Sequence, residues 1–196
     1  MLGQLIPIYT IGYGSRSLAD FTAVLQQHHI AYLIDIRSAP YSRYKPEFGK
    51  ESLPEALQAA GIRYVFMGDS LGGRPSDPSC YTEGKVDYEK VKQTGFYQAG
   101  IGRLQSAFQQ QHSVVLMCSE GKPETCHRSK LIGATLNQLE IPVAHIDEND
   151  AVVGQTAVIN RLTAGQLSLF GEHTFTSRKR YEEAEAQRGG GAEEIE

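Results

Sequence analysis

The segment CSEGKPETCHR, residues 118–128, places several reactive side chains close together. Cys118 and Cys126 supply thiols, which as thiolates are nucleophiles and metal ligands. His127 can accept a proton from a neighbouring thiol, and Glu120 can act as a general acid or base. These four residues are therefore candidate catalytic residues.

The spacing of the residues in this segment favours some kinds of chemistry over others. Two thiols and an imidazole can ligate zinc, but seven residues lie between Cys118 and Cys126, where zinc-binding pairs usually have two to four. The sequence also lacks a phosphatase loop, in which five residues lie between Cys and Arg, because nine residues lie between Cys118 and Arg128. We predict no cofactor, and zinc at Cys118, Cys126 and His127 stays open as an alternative. A plainer interpretation makes both cysteines core residues and Arg128 a structural ion-pair partner.

A second cluster lies at residues 35–48, with the sequence DIRSAPYSRYKPEF. Asp35 could act as a general base or accept a hydrogen bond from a sugar hydroxyl. Arg37 and Arg43 are interleaved with aromatic residues, a combination that can hold phosphates while bases stack. The alternative is an ordinary surface loop with buried aromatic anchors.

Alternating strand-like and helix-like segments must position these residues. Short apolar, β-branched runs predict strands, and apolar residues on one helical face or a capping residue predict helices. The predicted strands cover 6–11, 31–36, 63–67, 114–117 and 143–146, and the predicted helices cover 18–29, 53–60, 88–110 with a break near Gly95, and 126–139. Residues 68–86 are predicted to be a long loop, and residues 156–162 a short amphipathic piece.

This alternation predicts an α/β fold, a mostly parallel β-sheet with helices on both faces, in a Rossmann-like three-layer sandwich. Ligands of such folds bind outside the carboxyl ends of the strands. Polar or glycine residues follow four of the predicted strands and are expected to meet at that edge. They are Tyr13 and Gly14, Asp35 and Arg37, Gly68 and Asp69, and Cys118 and Glu120.

Length and composition indicate one globular domain. The chain has 196 residues, of which 40% are apolar and 21% charged, and its net charge of -4 gives no evidence for nucleic-acid binding and does not exclude it. We predict a domain over residues 1–162 and a C-terminal segment over 163–196 that ends in a disordered acidic tail. The three cysteines, the absence of an apolar run of about 18 residues and the lack of a signal-like N-terminus predict a cytoplasmic protein without membrane contact.

Four motifs together carry a family resemblance: TIGYGSRS, DIRSAPYSR, LGG at 71–73 and CSEGKPETCHR. They resemble the domain-of-unknown-function 488 family over about residues 7–150. The family's motif positions fall on Gly12, Asp35, Arg37, Pro40, Ser42, Arg43, Gly72, Gly73, Cys118, Glu120, Pro123, Cys126, His127 and Arg128. The resemblance implies a site at these positions but no particular activity. Combined with the sheet edge, it assigns substrate or phosphate binding to Tyr13, Arg37, Ser42, Arg43, Gly72, Gly73 and Arg128.

The pentapeptide QLSLF at residues 166–170 resembles the peptide by which bacterial polymerases and repair proteins dock on the DNA sliding clamp. In that peptide, the equivalent of Gln166 hydrogen-bonds a small pocket, while the apolar residues, here Leu167, Leu169 and Phe170, enter a groove. The alternative is that these apolar residues pack on the domain. If the resemblance holds, it connects the protein to DNA metabolism.

Three functional hypotheses follow. The first is a DNA-associated enzyme of repair or base processing, recruited by the sliding clamp, in which Asp35 or Glu120 takes part in hydrolase or glycosyl-transfer chemistry. The second is a thiol-dependent enzyme acting on a small phosphorylated or nucleotide-like substrate, with Cys118 or Cys126 as nucleophile and His127 as base. The third is a non-catalytic module that binds a nucleotide or nucleic acid.

Overall fold

The computed structural model describes residues 5–163 and 175–181 of the chain. Its strands are β1 Ile8–Gly12, β2 Tyr32–Asp35, β3 Arg63–Phe66, β4 Tyr81–Thr82, β5 Lys85–Val86, β6 Val114–Cys118, β7 Val143–Ile146 and β8 Val152–Gly154. Its α-helices are α1 Leu18–Gln27, α2 Leu53–Ala59, α3 Gly68–Leu71, α4 Tyr88–Lys92, α5 Gly95–Gln109, α6 Ala134–Gln138 and α7 Gln155–Thr163. A π-helix at Arg128–Gly133 leads into α6, and short 3₁₀ turns lie at Pro46–Phe48, Pro78–Cys80 and Pro123–Thr125.

Six strands form a mostly parallel sheet in the order β3-β2-β6-β1-β7-β8, in which only the edge strand β8 runs antiparallel to its neighbour. The register aligns the carboxyl ends of three central strands, because Gly12 pairs with Cys118 and Asp35 pairs with Met117. The predicted α/β fold is therefore confirmed, and so is the expectation that the ends of these strands share one edge.

Helices cover both faces of this sheet. Along β6, the side chains of Val115 and Met117 belong to a core shared with α1 and α2, while Val114, Leu116 and Cys118 belong to a core shared with α5 and the π-helix. This alternation within one buried strand follows from the period of two along a β-strand. It produces the three layers that the sequence predicted, with all five residues of β6 buried.

The region between β3 and α4 has more regular secondary structure than the sequence predicted. Residues 68–86 were expected to be a loop, but they contain α3 and the antiparallel hairpin β4–β5. Strands of two residues leave almost no periodic pattern to detect. The break near Gly95 is confirmed, since α4 ends at Lys92 and α5 begins at Gly95.

The helix predicted at 126–139 is not a regular α-helix at its start. Its first turns are the π-helix, in which the Ser129 carbonyl accepts both the Ala134 backbone N–H and a hydrogen bond from Gln155 Nε2 at 2.9 Å. Gln155 Oε1 in turn lies 2.6 Å from His145 Nε2, and His145 Nδ1 lies 2.7 Å from Thr10 Oγ1. This buried chain of hydrogen bonds joins β1, β7, α7 and the π-helix behind the candidate site.

Residues 175–181, which we call the strap, return to the domain body after the predicted domain end at 162. Thr176 forms a bridge with Asp87, and Ser177 exchanges hydrogen bonds of 2.9 Å with Val86 through its backbone N–H and its hydroxyl. Lys130 Nζ donates to the Thr176 carbonyl at 3.3 Å. The hairpin β4–β5 therefore anchors a chain segment that is distant in sequence.

Within the two described ranges, 5–163 and 175–181, no helix has both the length and the apolar character needed to cross a membrane.

Candidate functional site

A cavity of about 320 Å³ lies at the carboxyl edge of the sheet, where residues following β1, β2 and β6 meet the strap. Its lining includes seven residues singled out from the sequence: Tyr13, Arg37, Gly73, Cys118, Glu120, Cys126 and His127. Five others from that set, namely Asp35, Ser42, Arg43, Gly72 and Arg128, do not line it in the described part of the chain. The two groups have different surroundings.

Two thiols lie next to each other in the cavity wall. Cys118 ends β6, and Cys126 follows the 3₁₀ turn at Pro123–Thr125. Their Sγ atoms are 3.0 Å apart, both cysteines are free, and their exposed fractions are only 2% and 3%. The pair is thus in hydrogen-bond contact without a disulfide bond.

The pKa values of the two thiols shift in opposite directions. Burial raises the pKa of Cys126, but a hydrogen bond with Cys118, the positive charge of Arg128 and the Arg128 backbone N–H outweigh it, so the pKa of Cys126 is lowered. Burial raises the pKa of Cys118 well above its ordinary value, and the neighbouring Cys126 adds to that shift. Cys126 is therefore the thiol that deprotonates more readily, in hydrogen-bond contact with Cys118.

His127 lies beside this thiol. Its Nδ1 is 3.5 Å from Cys126 Sγ, while its Nε2 is buried and has no hydrogen-bond partner among the described residues. Burial lowers the pKa of His127, which keeps the imidazole neutral at pH 7 and able to accept a proton. Gly73 makes room for the ring, because a Cβ on Gly73 would lie 2.7 Å from His127 Nδ1.

Arg128 is fully buried, and its guanidinium holds the loop after β6. Nη1 donates to the Glu120 carbonyl at 2.9 Å and to Cys118 Sγ at 3.3 Å, and Nη2 donates to the Gly121 carbonyl at 2.7 Å. Gly12 permits this arrangement, since a Cβ there would lie 1.7 Å from the Glu120 carbonyl oxygen. These contacts give Arg128 a structural role, as the plainer interpretation of the sequence expected, although its partners are backbone carbonyls, and Arg128 does not line the cavity.

Asp35 is fully buried behind the cavity and is occupied by two partners. Its carboxylate accepts hydrogen bonds from Arg37 Nε and Nη2 at 2.9 and 2.6 Å, and from the Tyr64 hydroxyl at 2.8 Å. Burial and the Asp35 charge raise the pKa of Tyr64, so its hydroxyl remains a donor. In this arrangement, Asp35 orients Arg37 rather than facing a ligand.

Arg37 reaches the cavity from this buried position. Its Nη2 also donates to the Phe48 carbonyl at 2.7 Å, but its Nη1 is buried without a hydrogen-bond partner in the described ranges. The guanidinium lies 5.5 Å from the ring centre of Tyr13, and Tyr13 stacks on Phe48 with ring centres 4.4 Å apart. Arg37 therefore lines the cavity while one of its donors, Nη1, is buried and unpaired.

Glu120 is the one carboxylate in the cavity lining among the described residues. Its Oε2 accepts a hydrogen bond from the Thr125 hydroxyl at 3.0 Å, and its Oε1 lies 3.6 Å from Arg178 Nη2 in the strap. It is partly exposed and can meet a ligand. Sequence reasoning found Glu120 but missed Arg178, Lys179 and Tyr181 of the strap, which carry no motif.

The remaining predicted residues have supporting positions. Gly72 is buried, and a Cβ on it would lie 2.2 Å from the Gly68 carbonyl and 2.3 Å from Ser38 Oγ. Ser42 Oγ accepts a hydrogen bond from the Lys45 backbone N–H at 3.1 Å, which stabilises a turn. Arg43 is exposed.

Two further predictions concern metal and partner binding. Within the described ranges, no group of three or more His, Cys, Asp or Glu side chains is arranged to hold a metal ion, and the expectation about cofactors stays a prediction. The clamp-like pentapeptide at 166–170 lies outside the described residues.

Comparison with known proteins gives one result. The family model described as "Domain of unknown function DUF488" matches residues 17–135, which is more than half of the chain and includes Asp35, Arg37, the two cavity cysteines and His127. No curated protein and no solved structure matches the chain.

Proposed function

The chain belongs to the DUF488 family, and we propose that it is a thiol-dependent enzyme in which Cys126 attacks a small phosphorylated or nucleotide-like substrate bound in the cavity. The observation that carries this proposal is the contact of Cys126 Sγ with both Cys118 Sγ, at 3.0 Å, and His127 Nδ1, at 3.5 Å, in the cavity wall. A nucleophile beside a base is the arrangement that covalent catalysis needs.

This proposal is preferred to carboxylate chemistry because of what surrounds Asp35. That carboxylate is fully buried and already accepts hydrogen bonds from Arg37 and Tyr64, so it is not available to a ligand. Glu120 alone would then carry general acid or base chemistry, whereas two carboxylates are the usual requirement of glycoside hydrolysis. Nucleophilic catalysis by a thiol needs a nucleophile and a base, and Cys126 and His127 supply both.

The proposed reaction has two steps. The proton of Cys126 passes to His127, the thiolate bonds to the electrophilic atom of the substrate, and the leaving group departs with the proton that His127 returns. Water then attacks the covalent intermediate, giving its hydroxyl to the substrate and its proton to Cys126. Both steps conserve atoms and charge, and the net reaction is hydrolysis.

The first test compares the alkylation of Cys126 with that of Cys80, a buried thiol outside the cavity whose pKa burial raises. We expect iodoacetamide to modify Cys126 first, with a pH midpoint below the ordinary thiol value of about 8.5. Alkylation of Cys126 no faster than that of Cys80 at pH 7 would overturn the proposal.

The second test measures turnover. We expect the protein to release p-nitrophenolate from chromogenic phosphate or carboxylate esters, Cys126→Ser to lose this activity, and Cys80→Ser to retain it. Cys126→Ser with full activity would contradict the proposal. Ligand binding without any turnover would favour the non-catalytic module instead.

A second candidate function rests on the pentapeptide at 166–170. Its match to the clamp-binding peptide supports recruitment of the enzyme to replicating DNA, as in a repair or base-processing role. The test is binding of the purified protein to a bacterial sliding clamp, beside a variant with Leu169 and Phe170 changed to Ala. Binding that is lost in the variant is expected, and absence of binding by the intact protein would remove this candidate.

A further inference from the structure

We propose that the cavity recognises a nucleoside monophosphate, with Arg37 Nη1 and the strap residues Arg178 and Lys179 around its phosphate and tyrosine rings beside its base. This inference deepens the proposed function, since it names the substrate class of the same site. It depends on different residues from the thiol chemistry, so that the two can fail separately.

The phosphate position follows from Arg37. Only 6% of this residue is exposed, and Asp35 and Phe48 occupy its Nε and Nη2 atoms. Nη1 is buried without an acceptor while the side chain lines the cavity. A buried donor without a partner is unfavourable, and a phosphate oxygen would satisfy it with a charge-assisted hydrogen bond.

The strap supplies further positive charge to the same cavity. Arg178 lies 3.6 Å from Glu120, with 59% of its side chain exposed, and Lys179 also lines the cavity. Arg178 can therefore transfer from Glu120 to an incoming anion without losing a buried contact. Cationic side chains outnumber Glu120 in the lining, and this balance favours an anionic ligand.

Aromatic rings in the same lining favour a planar group attached to the phosphate. Tyr13 is held in place by stacking on Phe48, and Tyr41, Tyr88 and Tyr181 also line the cavity. Bases stack on tyrosine rings whatever their identity. The volume of about 320 Å³ lies within the range of small-molecule sites, at its lower end.

The experiment is calorimetric titration of the full chain with AMP, adenosine and inorganic phosphate in separate runs. We expect AMP to bind more tightly than either fragment, because only AMP offers both the phosphate and the base. Arg37→Lys keeps a positive charge beside Asp35 but removes the forked Nη1 donor, and it should lower the affinity for AMP by about tenfold. Arg178→Ala changes a side chain that is 59% exposed and should lower the affinity for AMP severalfold.

Two controls separate the possible failures. Arg103→Ala removes an exposed arginine of α5 that does not line the cavity, and it should leave AMP binding unchanged. Cys126→Ser should still bind AMP while losing turnover, so that loss of chemistry with retained binding points to the thiol. If Arg37→Lys does not fold, Arg178→Ala decides. No binding of AMP, equal affinities for AMP and inorganic phosphate, or unchanged affinity in the arginine variants that fold would overturn the proposal.

Discussion

Cys118 Sγ and Cys126 Sγ lie 3.0 Å apart across the loop that joins β6 to the π-helix, yet both thiols are free. A disulfide has an S–S distance of about 2.05 Å, so a short movement would join them. The lowered pKa of Cys126 makes it the sulfur that an oxidant attacks first.

We predict that hydrogen peroxide joins this pair. The Cys126 thiolate takes one oxygen from peroxide to form a sulfenic acid and hydroxide, and the Cys118 thiol then displaces water to give the disulfide. Thiol titration of the unfolded protein should fall from three groups per chain to one, and in Cys80→Ser from two to none. Three titratable thiols after treatment, or a disulfide that includes Cys80, would contradict this prediction.

The buried His145 predicts a loss of stability in mild acid. Burial lowers its folded-state pKa to about 4, against about 6.5 when unfolded, so the unfolded chain binds the extra proton between these values. The stability is fully present above pH 6.5 and is lost as the pH falls toward 4. Between pH 7 and 4.5 the contribution of His145 should amount to about 2–3 kcal/mol.

Urea unfolding at pH 7 and at pH 4.5 measures this loss of stability. The His145→Gln variant is the comparison, because glutamine does not titrate. We expect the intact protein to lose about 2–3 kcal/mol more than the variant over this interval. Equal losses in both would show that His145 does not carry the effect.

A methyl group at Gly12 should disrupt the packing beneath the site. A Cβ there would lie 1.7 Å from the Glu120 carbonyl oxygen and 2.5 Å from Arg128 Nη1. The loop must move, and Gly12→Ala should reduce the free energy of unfolding by about 2 kcal/mol or more. Gly102→Ala is the matched control: this glycine lies within α5 with nothing within 4 Å of the new Cβ, so alanine should stabilise the protein by about 0.5–1 kcal/mol. A Gly12→Ala variant as stable as the original would refute the packing argument.

Gly73→Ala should affect the site while leaving the fold in place. Its Cβ would lie 2.7 Å from His127 Nδ1, so the imidazole must shift relative to Cys126. We expect slower alkylation of Cys126 and at least about tenfold lower turnover, in line with typical contributions of a general base. The same rate of alkylation in the variant would indicate that His127 does not assist the thiol.

The sequence predicts the sheet and the convergence of its strand ends well, because short β-branched runs alternate with helices. Ser17, which directly precedes the helix predicted at 18–29, is a typical N-cap residue, and its hydroxyl accepts the Asp20 backbone N–H at 3.1 Å. Such local signals need only a few neighbouring residues. They also place Cys118 and Cys126 near each other, through a strand end and the start of the next helix.

What the sequence could not predict depends on contacts between distant residues. Ser177 meets Val86 across 91 positions, and no periodic pattern marks either as a partner. The different positions of Asp35 and Arg37 also depend on contacts between distant residues. Tyr64 encloses Asp35 by donating a hydrogen bond to it, whereas Arg37 lines the cavity. Motif positions therefore include residues that line the cavity and residues that support it, without separating the two groups.

The strap has a consequence for how the protein is made. A ribosome releases the sheet residues before residues 175–181, and domains begin to fold as they emerge. A nascent chain can therefore hold its thiol pair, Arg37 and Glu120 in an unfinished, open cleft. Arg178, Lys179 and Tyr181 are added only after the residues of the sheet, so a chain that terminates before the strap would lack this part of the cavity wall.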